Sequence, residues 1–141
     1  MFDRYNLELP QTPEEFLECC RVFQENGIET PVGANRWWLE TFVLAQAYAD
    51  LYNGGNTAAE IEALNSGESK YSDYMRPGFE FLQEMIDKGY VDAEKALVSE
   101  AIEGEGEDFL AQKTPIVMAY WGAANTDTAY GKTDFEMLVI G

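Results

Sequence analysis

The stretch TPEEFLECCRVFQENGI, residues 12–28, combines a helix start, an apolar stripe and a helix stop. Thr12 is placed to cap a helix, Pro13 suits its first turn, and Glu15 completes a capping box. Four apolar residues then follow at helical spacing: Phe16, Leu17, Cys20 and Phe23. Gly27 after Asn26 offers the left-handed conformation that ends many helices. The stretch therefore predicts an amphipathic helix, and a short strand within 28–34 is expected after it.

Three further helical segments are predicted downstream. The first, about 37–52, carries apolar residues round so much of its surface that burial on more than one side is expected. Its predicted inward stripe is Trp38, Phe42, Ala45, Ala49 and Tyr52, widened by Leu39, Val43 and Leu44. Thr57 and Glu60 form a second capping box, which predicts a helix ending at Ser66. Asp73 is the expected cap of the next helix, because Pro77 is tolerated only near a first turn. Gly89 is expected to end that helix.

The C-terminal third mixes a loop with two apolar strand candidates. Residues 99–108 are acidic and rich in glycine, which predicts a mobile loop leading into a short helix at 109–111. Residues 116–121 and 135–140 are apolar runs that predict buried strands. Four or five helices with two or three short strands make a mainly helical α+β fold, with 1–141 as a single piece.

Composition excludes several classes of function. The net charge is −17, which opposes binding to nucleic acid or an anionic membrane surface. The chain has no His, and its two cysteines, Cys19 and Cys20, are adjacent. A disulfide between adjacent helical residues is improbable. The sequence also gives no support for a zinc site or for another metal or cofactor site. No apolar run approaches the roughly 20 residues that span a bilayer, and no signal peptide is visible.

Five segments, in this order, resemble those of extracellular solute-binding proteins of the sugar-binding family 1 type. They are 5–16, 24–28, 64–73, 82–90 and 109–121. They are similar to the family's YGLEVPKTWDEF, KENGI, LNSGEAKFTD, LKELIDKGY and FAQGKAAM…GSW segments. Pro13 stands where the family often has Trp, and Gly122 follows Trp121 instead of preceding it.

The resemblance implies a two-lobed, type II periplasmic-binding-protein-like fold with a ligand between the lobes. This chain would be an internal fragment, the helical part of the second lobe, without the first lobe, the export peptide and the C-terminal helices. Residues 135–141 would be a strand returning to the first lobe. The whole protein would deliver a sugar to the membrane permease of an ABC importer from outside the cytoplasm, either periplasmic or lipid-anchored, and would not be an enzyme.

The expected ligand residues lie at two predicted strand ends. Trp121 ends one strand, and the resemblance places a sugar-stacking aromatic there. Tyr120 alternates with Trp121 along that strand, so only one of the two can readily face a cleft, and Tyr120 is the second choice. Asn35 and Arg36 lie where a loop enters a helix, with Trp37 as the exposed aromatic and Trp38 turned toward the core.

Two other interpretations compete with a sugar-binding lobe. One is an autonomous, acidic, helical module that binds a protein partner and would be a compact monomer. A lobe fragment would instead expose an apolar patch and self-associate. The other is a glycan-active enzyme, which needs two carboxylates about 5–9 Å apart, and no Asp or Glu here lies in a motif that suggests a raised pKa.

Overall fold

The computed structural model describes residues 1–98, 104–118, 133, 135–138 and 140. Within these residues the fold is α+β and mainly helical, with six α-helices where four or five were expected. The elements in chain order are a 3-10 helix Asp3–Tyr5, α1 Pro13–Glu25, β1 Val32–Gly33, α2 Arg36–Asn53, α3 Thr57–Ser66, α4 Tyr71–Asp87, α5 Ala93–Val98, α6 Gly104–Leu110 and β2 Ile116–Val117.

Two predictions for the C-terminal third were wrong. The glycine-rich segment was expected to be a loop to residue 108, yet helix α6 already begins at Gly104. The run 135–140 was expected to be a strand, yet its described residues, 135–138 and 140, have no strand conformation. Helix α6 packs against both strands, so tertiary contacts stabilise a segment that propensity alone would leave as a loop.

The chain divides into two compact units. Met1–Arg36 and Met85–Gly141 form one, called here the sheet unit, and Trp37–Glu84 forms the other, the helical unit.

The sheet unit is built round three extended segments with β1 in the middle. Val32 pairs with Ile116 and Gly33 with Val117 in parallel, and Val32 also bridges Val91 in parallel. The backbone N–H of Val32 donates to the Tyr90 carbonyl at 3.0 Å, and that of Met118 donates to Gly33 at 2.9 Å. Val32 is only 1% exposed, as expected for the central strand of a parallel set.

The ends of α1 and α4 have the same geometry, and one side chain joins them. Gly27 and Gly89 have φ of 88° and 70°, the left-handed conformation predicted at both positions. The Gln24 side-chain amide donates to the carbonyls of Glu29 and Lys88, each at 3.0 Å, and of Gly89 at 3.2 Å. This bridge holds the two helix ends together, just before Val32 and Val91 enter the sheet.

The predicted start of α1 is confirmed. The backbone N–H of Glu15 donates to Thr12 Oγ1 at 3.2 Å, and Glu15 Oε2 in turn accepts the N–H of Gln11 at 2.7 Å. Cys20 and Phe23 are fully buried, and Phe23 packs edge-on against Phe2 with ring centroids 5.2 Å apart. Cys19 and Cys20 are buried free thiols, as expected.

The predicted inward stripe of α2 was wrong in part. Leu39 and Val43 are buried as predicted, but the other buried residues of the helix, Ala47 and Leu51, lie outside the predicted stripe. Ala45, Ala49 and Tyr52 are exposed, so the helix is not buried on more than one side in this chain. Because α2 is apolar almost all round, its sequence period cannot choose the packed face. The packed face of α2 is determined by its contact with α4, because Gly78 of α4 lies directly against the backbone of Val43.

The predicted caps of α3 and α4 were also wrong. The Thr57 hydroxyl donates to the Leu51 carbonyl at 3.2 Å, and α3 is capped from Asn56 without a side-chain bond. Helix α4 begins at Tyr71, before Asp73, whose carboxylate accepts the backbone N–H of Lys70 at 3.3 Å. Pro77 consequently lies in the helix interior, where it leaves the carbonyl one turn earlier without its N–H partner.

Candidate functional site

The candidate site lies at the carboxyl ends of β1 and β2, in the sheet unit. Open parallel sheets bind ligands outside the carboxyl ends of their strands, because the following loops and helix N-termini converge there. After Gly33 the chain passes through Ala34 and Asn35 and enters α2 at Arg36. The first turn of a helix has N–H groups without intrahelical partners, which suit polar or anionic ligand atoms.

Asn35 and Arg36 differ in their access to solvent. Asn35 is 4% exposed, one of few buried polar residues in the described chain, whereas Arg36 is exposed. Both residues already take part in interactions with the rest of the protein. A buried side-chain amide has little freedom to move and carries both a donor and an acceptor, which is what recognition of a hydroxyl group requires.

Trp37 is exposed as predicted, whereas Trp38, which was predicted to face the core, is only partly buried. Trp37, the first residue of the helical unit, is 70% exposed, and Trp38 is half-buried. An indole this exposed offers a flat apolar face and one N–H donor to a ligand. Whether Trp37 contacts a ligand stays a prediction.

The other two predicted ligand residues, Tyr120 and Trp121, lie outside the described residues. The structure also describes the residue directly after β2, Met118. Its backbone N–H donates a hydrogen bond to the Gly33 carbonyl, so Met118 lies beside the loop that leads to Asn35. The structure thus brings together Asn35, Arg36 and the end of β2. It leaves the aromatic part of the predicted site as a prediction.

The chemistry at these strand ends suits binding. Ala34, Asn35 and Arg36 on one side and Ile116, Val117 and Met118 on the other provide one amide and one guanidinium, with apolar neighbours. Across the described residues, no group of three potential metal-ligating side chains is present.

The perturbed acids and phenols of the chain have structural causes elsewhere. The Asp108 carboxylate forms an ion pair with the Lys95 ammonium at 2.7 Å, and this hydrogen bond lowers the pKa of Asp108. In the helical unit, the hydrogen bond to Glu60 raises the pKa of Tyr74, and the bond to Tyr48 raises that of Tyr71. None of these groups lies at the carboxyl ends of β1 and β2, so none is assigned to this site.

Sequence reasoning missed a second polar region, at the opposite edge of the same strands. Thr30 and Thr114 stand two residues before the paired residues Val32 and Ile116, so the strand register places them at matching positions. A signal was present in the sequence, since Thr-Pro occurs immediately before both strands, at 30–31 and 114–115. The sequence alone could not show that the two segments are neighbours.

No protein-family model matches this sequence, and a search of curated proteins finds no match either. None of the described helices is both long enough and apolar enough to span a bilayer.

Proposed function

We propose that this chain is part of the carbohydrate-binding component of an ABC importer, a lobe of an extracytoplasmic solute-binding protein. The five sequence segments that resemble this family support the proposal. One structural observation adds support. The chain places a buried amide, Asn35, at the carboxyl ends of parallel strands, where binding proteins built on open sheets hold their ligands.

Recognition of a sugar by this site would divide between polar and apolar groups. Asn35 and Arg36 would bond to hydroxyl groups, and an indole would cover a C–H face of the ring. Trp121 is the preferred indole and Trp37 the second, with Tyr120 as an alternative to Trp121. Binding would involve no covalent chemistry.

In the whole protein, a second lobe would close over the sugar, and the closed form would dock on a membrane permease. Closure of this kind is a hinge movement, driven by the higher affinity of the ligand for the closed state. A micromolar binder needs about −8 kcal/mol, and it usually buries about 70–90% of its ligand. One lobe cannot do that, so this chain alone should bind sugars only in the millimolar range or more weakly.

Amide and indole NMR shifts can detect such weak binding and locate it. We expect neutral mono- and oligosaccharides to shift the backbone signals of 34–37 and the indole N–H of Trp121. Trp121→Ala should abolish the shifts at 34–37, because the stacking surface is lost. The matched control is Tyr52→Ala, which removes another exposed aromatic, 59% accessible, from the far end of α2. The control should retain every shift.

The proposal fails if no sugar in a broad panel moves signals at 34–37, or if Trp121→Ala and Tyr52→Ala behave alike. A micromolar affinity of this chain alone would contradict the single-lobe assignment, because it would show that the site is complete without a second lobe.

An acidic helical module that binds a protein partner is the second candidate, and one observation in the helical unit favours it. Tyr48, Tyr52 and Tyr71 form an aromatic cluster, in which the Tyr48 and Tyr71 hydroxyls lie 2.8 Å apart and the Tyr48 and Tyr52 rings 5.6 Å apart. Tyr52 and Tyr71 are exposed, and Tyr48 is half-buried. Exposed tyrosines are common in protein interfaces. Gel filtration separates the two candidates, since a compact monomer favours the module and self-association favours the lobe.

A further inference from the structure

An open depression of about 490 Å³ lies at the amino ends of β1 and β2, on the edge opposite the candidate sugar site. The turn after α1, 27–30, forms one wall, and 112–114, which lead into β2, form another. Arg4 and Tyr5 of the 3-10 helix line a third side. All of these residues belong to the sheet unit, so the depression is a feature of one compact body.

Two threonines at equivalent strand positions are among the residues that line the depression. Thr30 and Thr114 both line it, and the parallel register places them opposite each other. Thr114 is only 9% exposed, and its hydroxyl has no hydrogen-bond partner among the described residues. A buried hydroxyl without a protein partner is unfavourable, and an oxygen-bearing ligand in the depression would give it one.

Two cations stand beside these hydroxyls in a chain that is otherwise strongly acidic. The chain has 9 basic residues against 26 acidic ones, and Arg4 and Lys113 both line the depression. The Arg4 guanidinium lies 5.7 Å from the centre of the Tyr5 ring, which limits its freedom. The Lys113 ammonium is 3.4 Å from Asp108, and its side chain is 72% exposed, so it can also turn toward a ligand.

Only one described carboxylate, that of Glu29, lines the depression. The lining side chains of Arg4, Lys113 and Glu29 therefore sum to one positive charge, against a net charge of −17 for the chain. Hydroxyl donors together with a guanidinium and an ammonium form the donor set that binds oxyanions.

We propose that this depression is a binding site for a small oxyanion, a carboxylate or a phosphate. Thr114 and Thr30 would donate hydroxyl hydrogen bonds, and Arg4 and Lys113 would supply the charge. Because the depression is open and the chain is acidic overall, the affinity should be weak, in the millimolar range. The inference does not rest on the sugar-binding proposal, since it uses other residues at the other edge of the sheet.

Amide NMR titrations with inorganic phosphate and with succinate test the inference, with sodium chloride at matched ionic strength as the reference ligand. At least one oxyanion should produce saturable shifts at 27–30 and 112–114, and chloride should produce none there. Comparing the two titrations shows whether the site prefers a phosphate or a carboxylate. If neither oxyanion produces saturable shifts, or if chloride produces the same shifts, the proposal is overturned.

Three substitutions give effects that a merely structural role would not produce. Thr114→Val keeps the shape of the side chain and removes the hydroxyl, so it should weaken oxyanion binding severalfold without lowering the denaturation midpoint. Arg4→Gln should weaken binding about tenfold, the usual loss for one charge-assisted hydrogen bond. Glu29→Gln removes the opposing charge and should strengthen binding.

Arg76→Gln is the matched control for Arg4→Gln, because Arg76 is an exposed arginine of the helical unit that does not line the depression. It should leave the affinity unchanged. Equal losses in Arg4→Gln and Arg76→Gln would show that only net charge matters and would overturn the proposal. Unchanged affinity in Thr114→Val would overturn the role of the buried hydroxyl and, with it, the assignment of the site.

Discussion

Replacing Gly78 with Ala should destabilise the helical unit, although Ala is the better helix former. A Cβ atom at Gly78 would lie 2.6 Å from the carbonyl oxygen of Val43, and 3.1 Å and 3.2 Å from its Cα and carbonyl carbon. Ordinary contacts of a Cβ atom begin near 3.4 Å. The helices must therefore separate locally by 3.4 − 2.6 = 0.8 Å, the difference between these two distances.

Two opposing effects decide the sign of the change. Ala is favoured over Gly in a helix by about 1 kcal/mol, whereas overpacking costs about 1–3 kcal/mol. The cost here should be at the upper end, because the obstacle is main chain and cannot rotate away. A gap of this size also forfeits about a quarter to a half of each contact's dispersion energy between α2 and α4. We expect a net loss of about 2 kcal/mol in the free energy of unfolding.

Urea unfolding followed by circular dichroism measures this change. Ala45→Gly, on the exposed side of α2, isolates the propensity contribution and should cost about 1 kcal/mol. Adding Val43→Ala to Gly78→Ala should not restore stability, because truncating the side chain leaves the clashing backbone in place. The reasoning is refuted if Gly78→Ala is as stable as the original chain, or if Val43→Ala rescues it.

Three further predictions concern the sheet unit. Gln24→Leu should lower the unfolding free energy by about 1–2 kcal/mol, because the carbonyls at the ends of α1 and α4 lose a shared donor, and urea unfolding should show a lower midpoint. Asp108→Asn should make the stability of the chain less sensitive to acid. The hydrogen bond to Lys95 lowers the pKa of Asp108 in the folded chain. The stabilisation that this pair gives is therefore complete above 3.8, the pKa of the unfolded state, and is lost as the pH falls through the folded pKa. Denaturation midpoints measured from neutral to acid pH should show this effect, which is below about 1 kcal/mol for so exposed a pair. Cys19 and Cys20 should resist a thiol reagent in the folded chain and both react in urea, because burial raises the pKa of both and brings that of Cys20 to about 12.

Each of these predictions has a matched control or a contradicting result. Gln24→Glu keeps the length of the side chain but removes its donors, so it should be no more stable than Gln24→Leu. Glu94→Gln, on α5, should leave the sensitivity to acid unchanged. Rapid labelling of either cysteine without denaturant would contradict the buried position of that thiol.

The sequence predicted the elements whose determinants are local. The start of α1 depends on Thr12 and Glu15, and its end depends on Gly27, all within one segment, and the structure has these features where they were expected. The end of α4 at Gly89 is equally local. Helix ends of this kind can be predicted from the sequence, because their hydrogen bonds join residues only three to five positions apart.

The failures were decided by residues distant in sequence. The packed face of α2 depends on the close approach of Gly78 from another helix, and this face buries Leu51 while Tyr52, which was predicted to face inward, is exposed. Helix α6 forms where Gly104 and Gly106 favour a loop, because it packs on both strands. Residues 135–138 have the composition of a strand, but strand conformation also needs a partner with open hydrogen-bonding groups. Composition carries no information about such a partner.

The two proposed sites lie at opposite edges of the same pair of strands, which makes them separable by one variant. Arg4 lines the depression at the amino ends, and Asn35 lies beyond the carboxyl end of β1. Arg4→Gln should therefore weaken the phosphate- or succinate-dependent response at 112–114 about tenfold and leave any sugar-dependent shifts at Asn35 intact. Trp121→Ala should have the reverse effect. If either variant removed both responses, the substitution would be acting through the pairing of β1 with β2, and neither set of shifts could then be assigned to direct contact with a ligand.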